Sequence, residues 1–161
     1  VVPFPRLPIP EHPRLILILD GIRDPGNLGT ILRTAAAAGV DEVVTLPGTV
    51  DAYAPKVVRA GMGAHFRVPI EAHGRGADMQ SKIEGYQVLL ATATEGAPHW
   101  EADWSIPTAL IVGGETEGVG ETASRWATSR VRIPMAREVE SLNVASATAV
   151  LLFEARRQAR H

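Results

Sequence analysis

The chain has no cysteine. A disulfide framework and a zinc–thiolate site are therefore both excluded, and the redox compartment is left open. Its five histidines are scattered without metal-ligand spacing. Lysine is scarce: only Lys56 and Lys82 occur, and every other basic side chain is arginine, the better fork for phosphate. A formal net charge of −2 argues against a protein that holds nucleic acid by bulk electrostatics. No apolar run approaches the length of a bilayer-spanning helix, Leu15–Leu19 being an example of what there is. No secretory signal pattern opens the chain, so the expected setting is the cytoplasm.

What is present fits one globular domain. The chain has 161 residues, 45% hydrophobic and 21% charged, enough to bury a real core. It begins with Val1 rather than methionine, and it reads as a piece that has lost an N-terminal domain. Residues 1–13 are proline-rich and aperiodic, and read as a linker or arm. The expected domain is 14–161.

Strand and helix patterns then alternate. Leu15–Asp20 is a continuous apolar strand of the kind found inside a parallel sheet. Gly21–Gly26 is turn-rich, Asn27 reads as an N-cap, and Leu28–Ala38 as a helix closed by Gly39. Strands are expected at Glu42–Leu46, Phe66–Ile70, Gln87–Ala91, Thr108–Val112 and Arg130–Ile133. Helices are expected at Ala54–Ala60, Ala77–Glu84 and Glu121–Ala127. A last helix opens at Asn143 and runs to about Arg160. Its half from Val144 to Phe153 is apolar or small on nearly every face and should be buried. Arg156, Arg157 and Arg160 suit its C-terminus. The class is α/β, with a mainly parallel sheet flanked by helices.

Three stretches carry candidate chemistry. In the first helix, Gly29 and Arg33 stand one turn apart, off the buried stripe of Leu28, Ile31, Leu32 and Ala35. A glycine inside a helix costs about 1 kcal/mol against alanine. Space for a ligand beside the Arg33 guanidinium, near a positive helix end, would justify it; a surface arginine on an amphipathic helix is the plainer alternative. The second stretch, Gly113-Gly114-Glu115-Thr116-Glu117-Gly118, follows a buried strand, where ligands of open α/β sheets bind. It lacks the terminal Gly-Lys-Ser/Thr of a phosphate loop and the dinucleotide Gly-x-Gly-x-x-Gly, and Glu115 and Glu117 would repel phosphate. Such groups suit hydroxyls or a cation, both of which S-adenosylmethionine offers; an acidic surface turn is the plainer alternative. The third stretch runs from Arg132 to Val144. Pro134 ends the strand, and the loop crowds hydroxyl and amide groups before the last helix. Helix capping by Ser141 or Asn143 is its plainer alternative.

The order of these stretches is the specific signal. Asp-Pro-Gly-Asn-Leu-Gly-Thr-Ile-Leu-Arg-Thr-Ala at 24–35, Gly-Gly-Glu-Thr-Glu-Gly at 113–118, and Ile-Pro-Met to Ser-Leu-Asn-Val at 133–144 resemble, in order, the three motifs of the SpoU (TrmH-like) RNA 2′-O-ribose methyltransferases of the SPOUT class. The resemblance implies a SPOUT fold with a C-terminal trefoil knot, S-adenosylmethionine as cofactor, rRNA or tRNA as substrate, and a homodimer with its active site at the interface. It places catalytic roles on Arg33, Asn27, Glu115, Ser141 and Asn143. It places the cofactor pocket at the loops of Thr92, Gly113, Ile133 and Leu142, mostly through backbone groups. No metal is needed. Two positions depart from the pattern: Arg137 stands where many members have glycine, and Ala145 where serine is common.

Methyl transfer to a ribose must remove a proton from a weak acid and align its oxygen with the methyl carbon, and alignment alone can supply ~7–11 kcal/mol. A guanidinium is a very poor base. The expected role of Arg33 is therefore to stabilise the developing alkoxide and clamp the neighbouring phosphate, with Asn27, Ser141 and Asn143 positioning it and the loops, and Glu115 orienting it or shaping the cofactor site. Two other classes compete: a non-catalytic RNA-binding or dimerisation module of the same fold, and a small-molecule nucleotide-binding α/β enzyme.

Overall fold

A computed structural model describes residues 4, 6–74 and 76–159. Seven strands form one parallel sheet: β1 (Leu15–Asp20), β2 (Glu42–Thr45), β3 (Ile70–Ala72), β4 (Gln87–Thr92), β5 (Ala97–Pro98), β6 (Thr108–Gly113) and β7 (Ser129–Arg132), in the order β3-β2-β1-β6-β4-β7-β5. Five helices accompany them: α1 (Pro25–Ala38), α2 (Pro55–Gly61), α3 (Gly76–Lys82), α4 (Glu121–Ser124) and α5 (Val144–Ala159).

The apolar run of β1 serves both faces of the sheet. Leu17 and Leu19 join a core with residues of α1, α2 and α5, while Ile16 and Ile18 join a second core with residues of α3 and α4. Period-two alternation sends adjacent side chains to opposite layers, which is why the run reads as continuous. At the edge of the second layer, Lys82 of α3 donates to Glu42 at 2.5 Å and also to Glu71. Burial pushes the Glu42 carboxyl up, against the pull of the Lys82 ammonium.

Several expectations are corrected. Helix α1 starts at Pro25, with Asp24 as its cap: the Asp24 carboxylate accepts from the Asn27 N–H at 2.7 Å. Asn27 thus lies inside the first turn, freeing its side chain for other work. Pro25 suits a first helical position because its missing N–H is one the helix leaves unpaired there. Phe66–Ile70 is not a strand. Residues Ala64–Phe66 form a 3-10 turn that buries Ala64, His65 and Val68, at helical rather than alternating spacing, and the strand begins at Ile70. Helix α4 stops at Ser124 rather than Ala127. Short β5 has too little pattern to be visible beforehand. In α5, Val144, Ala145, Thr148, Leu151, Leu152 and Ala155 are buried, but Val150 and Phe153 are 38% and 47% exposed. The expected end of that helix at Arg160 lies outside the described residues.

Gly29 also has a different reason from the one expected. A Cβ there would lie 2.4 Å from the Ala60 Cβ, 2.8 Å from the Val57 carbonyl oxygen and 2.9 Å from the Gly61 nitrogen. Helix α2, not a ligand, fills the space beside it. The close approach of the two backbones sets α2 against the first half of α1.

Strand β7 lies between β4 and β5, pairing Leu89–Thr92 on one side and Ala97–Pro98 on the other. Strands β4 and β5 are joined only by residues 93–96, so this short connection arches across β7. After β7 the chain returns to the first layer, where α5 packs on α1. There Arg156 donates to the Ala38 carbonyl at the end of α1, and Gln158 accepts from the Trp104 N–H.

Candidate active site

The carboxyl ends of β4, β6 and β7 open into a cavity of about 470 Å³. Thr92, Gly113, Ile133 and Leu142 all stand on its wall, joined by Leu90, Val131, Met135 and Leu151. The four expected from the motifs therefore come from separate segments and converge on one place. Ser141 lines the same cavity. Its volume falls in the range of small-molecule sites, ~300–1,000 Å³.

Beside this cavity, at the turn where the loops after β1 and β6 diverge, three side chains meet. The Asn143 amide donates to Asn27 Oδ1 at 3.1 Å and to Glu115 Oε1 at 3.0 Å. The Asn27 amide lies 3.4 Å from the same Glu115 oxygen. Glu115 also accepts from the Val144 N–H at 3.2 Å, a group at the start of α5. A carboxylate at that end is favoured by the helix dipole. Asn143 itself caps α5, its Oδ1 accepting from the Ala145 N–H at 2.9 Å and the Ser146 N–H at 3.3 Å. One asparagine thus performs both the capping and the linking.

Arg33 stands apart. Its side chain is exposed, does not line the cavity, and makes no hydrogen bond or ion pair among the described residues. Among the described residues of one chain, Asn27, Asn143 and Glu115 make no contact that positions it, and of the two expected tasks they carry out the holding of the loops. The bonds of Asn27, Glu115 and Asn143 go to one another and to α5, and Ser141 makes no side-chain hydrogen bond among the described residues.

The glycine-rich loop is shaped by the protein's own backbone. A Cβ on Gly113 would lie 2.3 Å from the Gly118 carbonyl carbon, and one on Gly114 would lie 2.2 Å from the Gly21 oxygen. These two glycines are therefore required by backbone meeting backbone, not by the approach of a ligand. Asp20, at the end of β1, accepts from the Gly120 N–H at 2.7 Å and pins the far side of the loop. Glu117 turns outward to Arg23 at 3.0 Å. Asp20 and Asp24 went unread as site-building residues; the available signal was an acid at a strand end and an Asp-Pro before a helix.

Arg137 has φ +63°, in the left-handed region. An arginine there occupies a conformation that glycine adopts freely, at a cost of about 1–2 kcal/mol for a side chain. Ala145 is 5% exposed, so its methyl belongs to the core of α5. Among the described residues, no group of three or more His, Asp or Glu could hold a metal ion, and no helix is long and apolar enough to cross a membrane.

A sequence profile described as the SpoU rRNA Methylase family matches residues 14–153. The chain is 41% identical over 151 residues to an uncharacterized tRNA/rRNA methyltransferase of Synechocystis, an alignment covering 92% of this chain and 55% of that protein. It is 40% identical over 144 residues to the 23S rRNA (guanosine(2553)-2′-O)-methyltransferase of Bacillus subtilis, covering 89% of this chain and 58% of that one. The AdoMet-bound rRNA methyltransferase from Sinorhizobium meliloti matches with a TM-score of 0.83 at 37% identity, covering 92% of this chain and 57% of that chain. The chain thus spans a little over half the length of these relatives.

Proposed function

The chain belongs to the SpoU rRNA Methylase family, and from that premise we propose that it is the catalytic part of an enzyme that methylates a ribose 2′-hydroxyl of rRNA or tRNA from S-adenosylmethionine. The observation that carries this reading is the convergence of Thr92, Gly113, Ile133 and Leu142 on one cavity, beside the Asn27–Glu115–Asn143 cluster. The cavity suits the cofactor by its volume and by its lining, where apolar Leu90, Ile133, Leu142 and Leu151 stand among loop backbone groups. The cofactor supplies the electrophilic methyl group. Leu142 and Ile133 give the apolar walls. Glu115 and Asn143 hold the start of α5 against the loop after β6, fixing the rim. Arg33 stabilises the charge that develops on the ribose oxygen and pairs with the adjacent phosphate. The cytoplasm is its proposed setting.

The proposed assembly is a homodimer in which Arg33 meets the partner's cavity. Three facts support it: Arg33 is exposed and without a partner among the described residues, it does not line its own cavity, and Val150 and Phe153 leave an apolar face on neighbouring α5. Residues 1–13 are proposed as an arm and 14–161 as the catalytic domain. The trefoil knot is proposed for the segment after β6, with support from β7 lying between β4 and β5.

The test is transfer of labelled methyl from S-adenosylmethionine to bulk RNA, followed by mapping of alkali-resistant linkages. Cofactor binding without transfer to any RNA would leave a non-catalytic module of the same fold and sink the enzymatic reading. Sedimentation tests the dimer, and a monomer at micromolar concentration would count against it. Mixing Arg33→Ala with Leu142→Asp protomers should restore part of the lost activity if the site is shared between subunits.

A further inference from the structure

Residues 52–70 contain no aspartate or glutamate, yet they contain Lys56, Arg59 and Arg67, in a chain whose formal net charge is −2. All three side chains are exposed, and none forms an ion pair among the described residues. The same segment exposes Tyr53 at 37%, Met62 at 67% and Phe66 at 57%. These side chains stand on a fixed base. His65 beneath them is 3% exposed, with Nε2 2.6 Å from the Ala52 carbonyl oxygen. The surface already holds one flat ring from the arm: the Phe4 centroid lies 5.1 Å from Tyr53, 5.4 Å from His65 and 5.5 Å from Phe66. Acidic groups appear only at the margins. Asp51 accepts from the Tyr53 N–H at 2.9 Å, and Glu71 is bound to Lys82.

Exposed aromatic faces interleaved with unpaired cations suit a single nucleic-acid strand. Bases stack on rings whatever their identity, and phosphates take the cations. An apolar protein partner would instead bury three cations without counter-charges, which is costly. The location agrees. Helix α2 packs beside α1 in the layer that carries Arg33, held there by the contact at Gly29.

We propose that the outer face of α2 with the turns on either side of it, formed by Tyr53 before the helix, Lys56 and Arg59 on it, and Met62, Phe66 and Arg67 after it, is a stacking platform for unpaired nucleotides flanking the ribose presented to Arg33. This rests on RNA being the substrate and adds the path of the strand.

The test uses the full chain with a fluorescein-labelled oligouridylate about 12 nucleotides long, within the footprint of one single-strand module, and an RNA duplex of equal length. The single strand should bind more tightly than the duplex. Phe66→Ala should weaken binding by about tenfold or more, the loss expected for one stacked base. Arg59→Ala should weaken it and lower the slope of log K against log salt by about 0.7, the share of one single-strand phosphate. A 4-thiouridine version should crosslink to peptides containing Tyr53 or Phe66. Thermal unfolding and cofactor calorimetry should be unchanged in both variants. Normal single-strand binding by both variants, crosslinks confined to other peptides, or a preference for duplex would each overturn the platform. So would loss of the dimer in Phe66→Ala, which would make this face a contact between copies. The two readings fail separately. Methyl transfer by the wild type with Phe66→Ala and Arg59→Ala binding normally removes the platform alone, whereas Phe66-dependent binding of the oligonucleotide without methyl transfer to any RNA removes the enzymatic reading alone.

Discussion

Asn143 and Asn27 are 116 residues apart in sequence, and the amide of the first donates to the carbonyl oxygen of the second at 3.1 Å. This bond ties the start of the last helix to the first turn of the first helix. The Glu115 carboxylate closes the triangle from the loop after β6. Asn143→Asp should separate the two tasks of the residue. The aspartate keeps the cap of α5 but loses both side-chain donors and puts a second carboxylate beside Glu115. Stability at pH 7 should fall by about 1 kcal/mol, the lost hydrogen bonds being exposed ones. Denaturant unfolding with and without Glu115→Gln in the same chain checks this; a deficit equally large in both backgrounds would show that repulsion is not its cause.

Arg33→Ala should separate chemistry from cofactor binding. The side chain touches neither the cavity nor the asparagine–glutamate cluster. Single-turnover methyl transfer should fall by roughly 100-fold or more, by analogy with loss of one oxyanion donor, while calorimetric affinity for S-adenosylmethionine stays nearly unchanged. Arg33→Lys should fare almost as badly, since an ammonium lacks the planar fork. Near-normal turnover, or a parallel loss of cofactor affinity, would remove Arg33 from its assigned role.

Gly29→Ala should be destabilising even though alanine is the better helix former. The added methyl meets the Ala60 Cβ at 2.4 Å and main-chain atoms at 2.8 and 2.9 Å. Backbone cannot swing aside as a flexible side chain can, so overpacking of about 1–3 kcal/mol should exceed the propensity gain of about 1 kcal/mol. A midpoint shift in urea toward lower concentration is the expected reading, and a gain in stability would refute the contact.

Arg137→Gly should have the opposite sign. Relief at φ +63° offsets the greater chain entropy of glycine, leaving a gain of less than about 1 kcal/mol. Arg137→Val should lose stability, because a β-branched residue tolerates that backbone least. Equal stabilities for the glycine and valine variants would mean that this backbone carries no strain.

Acid should weaken the last helix through Glu154. Its side chain is 11% exposed and accepts from Arg157 Nε at 2.9 Å and Nη2 at 2.7 Å, and from Gln158 at 2.8 Å. The Arg157 hydrogen bonds, with that of Gln158, hold its carboxyl down from 4.5 to about 2. Because the folded value is the lower one, this contribution is complete above about pH 4.5 and disappears as pH falls towards 2. Glu154→Gln should flatten the stability profile across that window and leave its alkaline side unchanged.

The sheet was legible because its strands are buried on both faces and bounded by glycine and proline; β1 runs over the expected residues, Leu15–Asp20. The segment at Phe66–Ile70 was misread because one turn of 3-10 helix is too short to show a period, and Phe66 looks like a core strand residue while facing solvent. Motif order pointed to the segments that meet at the cavity, but it could not say which contacts they make. Asn27 looked like a cap because its type favours that role, yet Asp24 takes the position and Pro25 starts the helix. Gly29 was weighed as room for a ligand, and the loop of Gly114 was noted for its acidic groups and for the phosphate motifs it lacks. Their neighbours, Ala60 and Gly21, are distant or unremarkable in sequence, and only the fold brings these backbones together.

The placement of β7 between β4 and β5 sets a timetable for synthesis. A chain leaves the ribosome N-terminus first, so β4 and β5 exist before the strand that separates them has been made. Strand β5 pairs with β7 alone, so it has no place in the sheet until β7 enters, two strand spacings or about 9.6 Å then separating β4 from β5. Until β7 arrives, β4 is paired to β6 on one side only, and its other edge is the kind that invites pairing with another chain. The few residues 93–96 that join those strands keep the opening narrow, and Ser129–Arg132, made after β6 and α4, are the ones that fill it.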